Sequence, residues 1–338
     1  MTMLRLIILL ALAFLLALTL FLVFTAPPGE RAPVLSLPID CVPGQTCFLQ
    51  QYVDRDPGPD VVDYRCGHQT YNGHKGTDFR LPDTRGVATG VAVYAAAPGR
   101  VKGVRDGEPD IFSNERPQSD IDGRECGNGV VIDHGQGWET QYCHMKEGSV
   151  RVRPGDIVTS GDTLGLVGYS GRAEFPHLHL SVRYEGQVVD PFAVEAGLGT
   201  CGEDTVSMWS DKATAALRYE DALILNLGFA SGAVDNRQVE GGVGDGFTLN
   251  DETPALVVFA RMINAKEGDR LALRIEGPQG FEVSSLADPA PNHQAQRMGF
   301  AGRKRPAGGW PKGEYRATVS LLREGAVIER RDISLTME

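Results

Sequence analysis

The sequence predicts a mainly β fold: an N-terminal hydrophobic helix followed by two successive antiparallel β domains. Three observations support this prediction. The 338 residues include 41 Gly and 20 Pro, which indicates many turns. Between these turns lie short apolar or alternating runs, with no long stretch at the helical period. One apolar segment, at the N-terminus, is long enough to form a membrane helix.

The N-terminal segment is predicted to direct export. Residues 4–24 read LRLIILLALAFLLALTLFLVF, and Arg5 is their only charged residue. The apolar run after Arg5 has about 19 residues, more than the apolar core of a usual signal peptide contains and close to the length that spans a bilayer. Because Pro27 follows Ala26, the cleavage site is poor, and residues 1–26 are interpreted as an uncleaved signal anchor in preference to a cleaved signal peptide. Both interpretations place the rest of the chain outside the cytoplasm.

The cysteines agree with an exported protein. An even number of cysteines in an exported chain indicates disulfides, and none of the six forms a CxxC pair of the kind found in zinc ribbons and thioredoxins. Cys41 and Cys47 would close a short loop, and Cys126 and Cys143 flank a predicted hairpin. Sequence alone leaves the pairing open, and the remaining cysteines are Cys66 and Cys201.

The chain after the leader divides into a linker and two β domains. Residues 27–40 hold four prolines and are predicted to be an extended linker. Residues 41–200 contain six of the seven histidines and many short strands, and form the first predicted domain. Residues 201–338 are predicted to form a β-sandwich. Its clearest strands are LALRIE (271–276), YRATVSLL (315–322) and AVIERRDISL (326–335), the last two joined by a tight turn at Glu324-Gly325.

One long polar segment interrupts the first predicted domain. Residues 103–125 read GVRDGEPDIFSNERPQSDIDGRE and are expected to lack regular structure. A loop of this length in a compact domain is either a functional rim or lid or a mobile surface insertion, and the sequence favours neither.

Composition and missing motifs exclude several function classes. The net charge of −11, with no basic block, makes nucleic acid a poor partner. The sequence contains no HExxH, so the helix-borne glutamate base of many zinc proteases is absent. It contains no GxSxG, which disfavours a serine hydrolase of that type.

Five side chains carry the candidate chemistry. His74 and Asp78 stand four apart in YNGHKGTDF, and His144 ends the predicted strand GWETQYCHM. His177 and His179 stand two apart in FPHLHLSV, so on a strand both project to the same face. Histidine and aspartate are good zinc ligands, and a catalytic zinc takes three protein ligands. Five groups exceed that number, and the surplus suits acid–base and oxyanion roles.

Four segments of the sequence resemble those of a known family. They occur in the order HKGTDF, GNGVVIDHGQGWETQYCHM, VRPGDIVTSGDTLGLVGYSG and PHLHLSVRYEGQVVDPF. Together, over about residues 66–193, they closely resemble the lysostaphin-type (LytM-like) zinc endopeptidases, which cleave peptide cross-bridges of bacterial peptidoglycan. The resemblance implies a small antiparallel β metallopeptidase domain with a groove over one Zn²⁺. The implied zinc ligands are His74, Asp78 and His179, and the implied catalytic pair is His144 and His177.

The implied function is zinc-dependent endopeptidase activity on peptidoglycan peptide cross-bridges, with a metal-activated water attacking the scissile amide. The alternative is a non-catalytic activator or scaffold of other cell-wall hydrolases, and the C-terminal domain is a candidate docking surface for an envelope protein. The absence of a recognisable Gram-positive wall-binding module, together with the cysteines, favours a Gram-negative periplasm and D,D-endopeptidase activity; glycyl bridges and protein substrates stay open. The expected location is the periplasmic face of the inner membrane, with the anchor in its lipid, or the periplasm or exterior if the leader is cleaved.

Overall fold

The computed structural model describes residues 32–195, 199–202 and 205–338. The predicted signal anchor and its hydrophobic helix lie outside these residues. Among the described residues, no helix is long and apolar enough to cross a membrane.

An eight-stranded antiparallel sheet forms the first part of the chain, in the order β1-β2-β9-β6-β5-β4-β7, with β10 paired to β9. A separate two-stranded sheet pairs β3 with β8. The strands are β1 (Phe48–Gln51), β2 (Thr77–Arg80), β3 (Ala92–Tyr94), β4 (Gly99–Arg105), β5 (Asn128–Gly135), β6 (Trp138–Met145), β7 (Ile157–Val158), β8 (Thr163–Leu166), β9 (His177–Tyr184) and β10 (Gln187–Val189). One short helix, α1 (Arg85–Thr89), follows β2.

The central strand β9 shows why this sheet forms. Its residues Leu178, Leu180 and Val182 are fully buried in the core, whereas His177 and His179 point to the opposite face. This alternation fixes the register of β9, because a slip of one residue would move the histidines into the apolar core.

The last part of the chain contains two further antiparallel sheets that share one hydrophobic core. A three-stranded sheet has the order β11-β12-β15, and a four-stranded sheet has the order β14-β13-β16-β17. The strands are β11 (Leu223–Ala230), β12 (Ala255–Ala265), β13 (Arg270–Gly277), β14 (Phe281–Leu286), β15 (Gln294–Lys304), β16 (Gly313–Arg323) and β17 (Ala326–Met337). The helices of this part are α2 (Asp211–Ala216) and α3 (Asn236–Glu240). The three strands predicted from sequence are confirmed within β13, β16 and β17.

The two parts of the chain are in close contact. Trp209, Ala213 and Leu217 follow Cys201 in sequence, yet they pack into the core of the first part. The division into domains at 41–200 and 201–338 therefore stays a prediction.

Three disulfides cross-link the first part: Cys41–Cys47, Cys66–Cys201 and Cys126–Cys143. The short loop and the hairpin pairing suggested by sequence are both confirmed. The Cys126–Cys143 bridge ties the end of β6 to the chain that leads into β5.

The expectation of an irregular 103–125 segment is wrong in part. Strand β4 continues into it as far as Arg105, and two turns of 3-10 helix form at Ser113–Glu115 and Gln118–Asp120. Two aspartates fasten the segment to its surroundings: Asp106 accepts from the backbone N–H of Gly148 and Asp110 from that of Tyr169. These two bonds reach partners that are distant in sequence, and sequence periodicity does not report such contacts.

Candidate metal and catalytic centre

Three neighbouring strands bring the five predicted side chains together. Asp78 on β2 lies directly opposite His179 on β9, and His179 in turn lies opposite Cys143 on β6, one residue before His144. His177 stands on β9 two residues before His179. His74 lies in the turn that leads into β2.

Three polar atoms converge at the centre of this cluster. Asp78 Oδ1 lies 2.8 Å from His179 Nδ1 and 3.2 Å from His74 Nε2, and the two imidazole nitrogens are 3.2 Å apart. Ligand atoms at about 2.0–2.1 Å from a tetrahedral zinc are separated by about 3.3 Å. The three atoms therefore have the spacing of zinc ligands.

The outer hydrogen bonds of the imidazoles fix the protons away from this centre. His74 Nδ1–H donates to the carbonyl oxygen of Tyr52 at 2.7 Å. Ser181 Oγ–H donates to the carbonyl oxygen of Lys75 at 2.7 Å, so the hydroxyl accepts from His179 Nε2–H at 3.0 Å. Three acceptor atoms then face one another, and a cation between them would satisfy all three. The donor set thus fits zinc.

Electrostatics favours an ionised carboxylate in this cluster. Burial by itself would raise the pKa of Asp78, but the neighbouring His74, His177 and His179 hold it well below its usual range. Burial likewise opposes the charged form of His74, and Asp78 more than offsets this and raises the pKa of the imidazole. Asp78 is therefore available as an anionic ligand.

His144 and His177 form a second pair beside the three converging atoms, with ring centroids 4.5 Å apart. His144 Nδ1–H donates to the carbonyl oxygen of Ser170 at 2.8 Å, and His177 Nδ1–H donates to that of Phe175 at 2.9 Å. In both rings Nε2 remains the nitrogen that can exchange a proton. Burial lowers the pKa of His177 to about 4 and that of His144 well below its ordinary value, so both rings are neutral near pH 7.

The backbone at His144 is unusual. Its φ of 60° lies in the left-handed region, which non-glycine residues adopt at a cost in energy. The backbone N–H of His144 donates to the carbonyl oxygen of Cys126 at 2.8 Å. The carbonyl oxygen of His144 accepts from the backbone N–H of Gly168 at 3.0 Å. These bonds and the adjacent disulfide hold the strained residue in place.

A second set of possible ligands overlaps the first: His144, His177 and His179 also place one nitrogen each within 4.8 Å of one another. This set contains no carboxylate. The set formed by His74, Asp78 and His179 includes a carboxylate, and its atoms lie 2.8–3.2 Å apart, so it is the better candidate metal site.

A close backbone approach also shapes the site. A Cβ atom on Gly76 would lie 2.6 Å from both His179 Nε2 and the carbonyl oxygen of Leu180. Only glycine therefore lets the turn between His74 and Asp78 lie against β9.

The cluster opens into a groove of about 1310 Å³. The 103–125 segment borders it through Phe112, Ser113, Asn114 and Glu115. The last part of the chain borders it as well, and its lining residues are Asn236, Arg237, Glu240, Ala295 and Gln296. Arg237 Nε lies 3.1 Å from Glu115 Oε1, so α3 and the 103–125 segment are joined at the groove.

The sequence predicted the five central side chains but not the residues that hold them in place or border the groove. Ser181 and Arg80 each follow a proposed ligand by two residues on the same strand, so strand alternation places them on the same face as His179 and Asp78. That signal was present in the sequence. Glu240 and Arg237 lie far along the chain, and no local pattern connects them with the site.

Residues 72–191 match the family described as Peptidase family M23. Peptidoglycan DD-endopeptidase ShyA of Vibrio cholerae is 32% identical over 117 residues, which cover 35% of this chain and 22% of that protein. DD-carboxypeptidase/endopeptidase Mpg of Neisseria meningitidis is 33% identical over 132 residues, covering 37% and 23%. The chain thus spans about a fifth of the length of the curated relatives it matches. The family match includes all five side chains of the cluster.

Two catalytic domains are among the solved structures that match part of this chain. That of the prophage-encoded M23 protein EnpA from Enterococcus faecalis is 24% identical and has a TM-score of 0.31, covering 44% of this chain and 91% of that one. That of lysostaphin from Staphylococcus simulans is 20% identical and has a TM-score of 0.28, covering 42% and 85%.

Proposed function

We propose, from the premise that residues 72–191 form a domain of peptidase family M23, that this chain is a zinc-dependent endopeptidase that hydrolyses peptide cross-bridges of bacterial peptidoglycan. One observation carries the proposal. Three potential ligand atoms, on His74, Asp78 and His179, lie 2.8–3.2 Å from one another beside two further imidazoles at the base of a groove. Such an arrangement combines a metal site with a separate acid–base pair.

The zinc ligands in this proposal are His74 Nε2, Asp78 Oδ1 and His179 Nδ1. When bound, zinc supplies a Lewis acid that polarises a carbonyl oxygen and lowers the pKa of a water molecule. Tyr52 and Ser181 orient two of the ligands through their outer nitrogens, which fixes the tautomer that binding requires.

His144 and His177 move the protons. Because both rings are neutral near pH 7, either Nε2 accepts a proton from the attacking water and then donates it to the leaving amine nitrogen. The other imidazole, which is also neutral with its proton on Nδ1, accepts a second hydrogen bond from the attacking water at Nε2 and so orients it. The backbone carbonyl oxygens of Ser170 and Phe175 keep both rings in the required tautomer.

The substrate class rests on relatives. The name of the relative in Vibrio cholerae supports peptidoglycan, and the names of both this relative and the one in Neisseria meningitidis support a D,D peptide bond. The three disulfides support a location outside the cytoplasm. We extend the proposal accordingly to D,D-endopeptidase activity in the envelope.

Digestion of purified peptidoglycan sacculi by the full-length protein in detergent tests the proposal, with products identified by mass spectrometry. We expect new amino termini on cross-bridge peptides, and their positions name the bond. The activity should disappear after zinc is removed by a chelator and return when zinc is added.

Two variants separate the proposed roles. His179→Ala should lose both zinc and turnover, whereas His177→Ala should keep one zinc per chain and lose turnover. Retention of zinc and full turnover by both variants would refute the assignment. Intact sacculi with stoichiometric zinc in the wild-type protein would favour a non-catalytic activator of other wall hydrolases.

A further inference from the structure

We propose that Glu240, in the last part of the chain, is a positioning residue that holds the proton-transferring His177 in place through Arg80 and Phe175. The inference rests on the proposed function, in which His177 moves protons. This inference gives the last part of the chain a role in the reaction.

The connection begins at a buried carboxylate. Glu240 Oε2 lies 2.6 Å from Arg80 Nη2 and also accepts a hydrogen bond from Arg261 Nη1. The side chains of Arg80 and Arg261 are 1% and 0% exposed, and that of Glu240 is 7% exposed. A charge-assisted bond between groups so well removed from water has a fixed geometry. Gln50 Oε1 accepts from Arg80 Nη1 at 2.5 Å, so Glu240 is the charged one of two side chains that fix where the Arg80 guanidinium lies.

Arg80 in turn contacts Phe175, close to His177 on strand β9. It lies directly opposite His177 in the pairing of β2 with β9. Its guanidinium carbon stands 4.2 Å from the centroid of the Phe175 ring, which is the geometry of a cation–π contact. This contact joins Arg80 to the Phe175 ring.

Phe175 completes the connection with two contacts to His177. The two rings have centroids 4.6 Å apart, and the carbonyl oxygen of Phe175 accepts the hydrogen bond from His177 Nδ1–H at 2.9 Å. A change in the position of Phe175 thus alters both the orientation and the tautomer of the imidazole.

Glu240 is itself held firmly. It ends α3, a helix that begins with a capping box between Asp235 and Gln238. Its backbone carbonyl oxygen accepts from the N–H of Thr84, at 2.9 Å, in the segment after β2. Arg261 on β12 also donates to the carbonyl oxygen of Pro82, at 2.7 Å. The last part of the chain thus forms several hydrogen bonds with the end of β2 and with the residues that follow it.

Removing the carboxylate charge tests the role. For Glu240→Gln we expect kcat on a soluble cross-linked peptide to fall about ten- to a hundredfold, since small misplacements of catalytic groups have effects of this size. KM should change by less than about twofold, and zinc content should stay at one per chain. Arg80→Lys keeps the charge but loses the planar group over Phe175. It should therefore show the same fall in kcat, with little change in KM and in zinc content.

A matched control removes a buried carboxylate charge elsewhere. Asp269 is fully buried and pairs with Arg323 at 2.8 Å within the last part of the chain, with no connection to His177. Asp269→Asn should therefore leave kcat unchanged. An equal fall in kcat in this control would overturn the proposal, because it would indicate a general loss of stability.

A second measurement does not depend on activity. The NMR signal of the His177 Nδ1 proton should shift in Glu240→Gln and stay in place in Asp269→Asn. If the wild-type protein proves inactive on peptidoglycan, the proposed function fails, but this signal still tests whether Glu240 fixes the position of His177. An unmoved signal together with an unchanged kcat in both Glu240→Gln and Arg80→Lys would refute it.

Discussion

Ser181 offers a sharp test of the proposed metal site, because it contacts a proposed ligand without touching the metal position. Its hydroxyl proton is donated to the carbonyl oxygen of Lys75, so the oxygen can only accept from His179 Nε2–H. That bond leaves the lone pair of Nδ1 directed at Asp78 and His74. In Ser181→Ala the imidazole loses the partner that selects this tautomer.

The size of the effect follows from the kind of bond that is lost. A neutral hydrogen bond contributes about 0.5–1.5 kcal/mol. Outer partners of zinc-binding histidines typically change metal affinity about 10- to 100-fold, and each factor of ten corresponds to about 1.4 kcal/mol. A single neutral bond belongs at the lower end of that range. We therefore expect zinc affinity to fall about tenfold in Ser181→Ala.

Competition with a chromophoric zinc chelator at neutral pH measures this change directly. Ser181→Thr is the matched control, because it keeps a hydroxyl group at the same position and should bind zinc within about twofold of the wild-type affinity. An unchanged affinity in Ser181→Ala would refute the reasoning, since the His179 tautomer would then not depend on this bond. A loss as large in Ser181→Thr would point to packing instead of hydrogen bonding.

Two further predictions concern the backbone near the site and the cross-links of the fold. Gly76→Ala should displace His179 and reduce zinc content, while Gly103→Ala, where a Cβ would meet no atom within 4 Å, should not; equal zinc content in both variants would contradict the close approach. Replacing the Cys66–Cys201 pair with serines should lower the free energy of unfolding by about 5 kcal/mol and replacing the Cys41–Cys47 pair by about 2 kcal/mol, since loop-closure entropy grows with the separations of 135 and 6 residues. Chemical denaturation under oxidising conditions measures both, and a larger loss for the short loop would refute this ordering.

Local sequence patterns predicted much of the fold. The alternation in β9 that buries Leu178 and Leu180 also placed His177 and His179 on one face, and the turn at Glu324-Gly325 follows from Gly325, which adopts a positive φ without steric cost. Such patterns depend on residues a few positions apart, so a single sequence contains them in full. The order assigned to the 103–125 segment was underestimated because the bonds of Asp106 and Asp110 reach partners about 40 to 60 residues away.

The five side chains that form the candidate centre, and the chemistry their residue types allow, were determined by the sequence alone. Their meeting point was decided by the tertiary structure, because the pairing of β2, β9 and β6 brings together residues about 100 positions apart. Only the tertiary structure brought Glu240 of α3 against Arg80 of β2, 160 residues away. Burial of charged groups gives such contacts their fixed geometry, and burial depends on how sheets pack against each other, which no local spacing records.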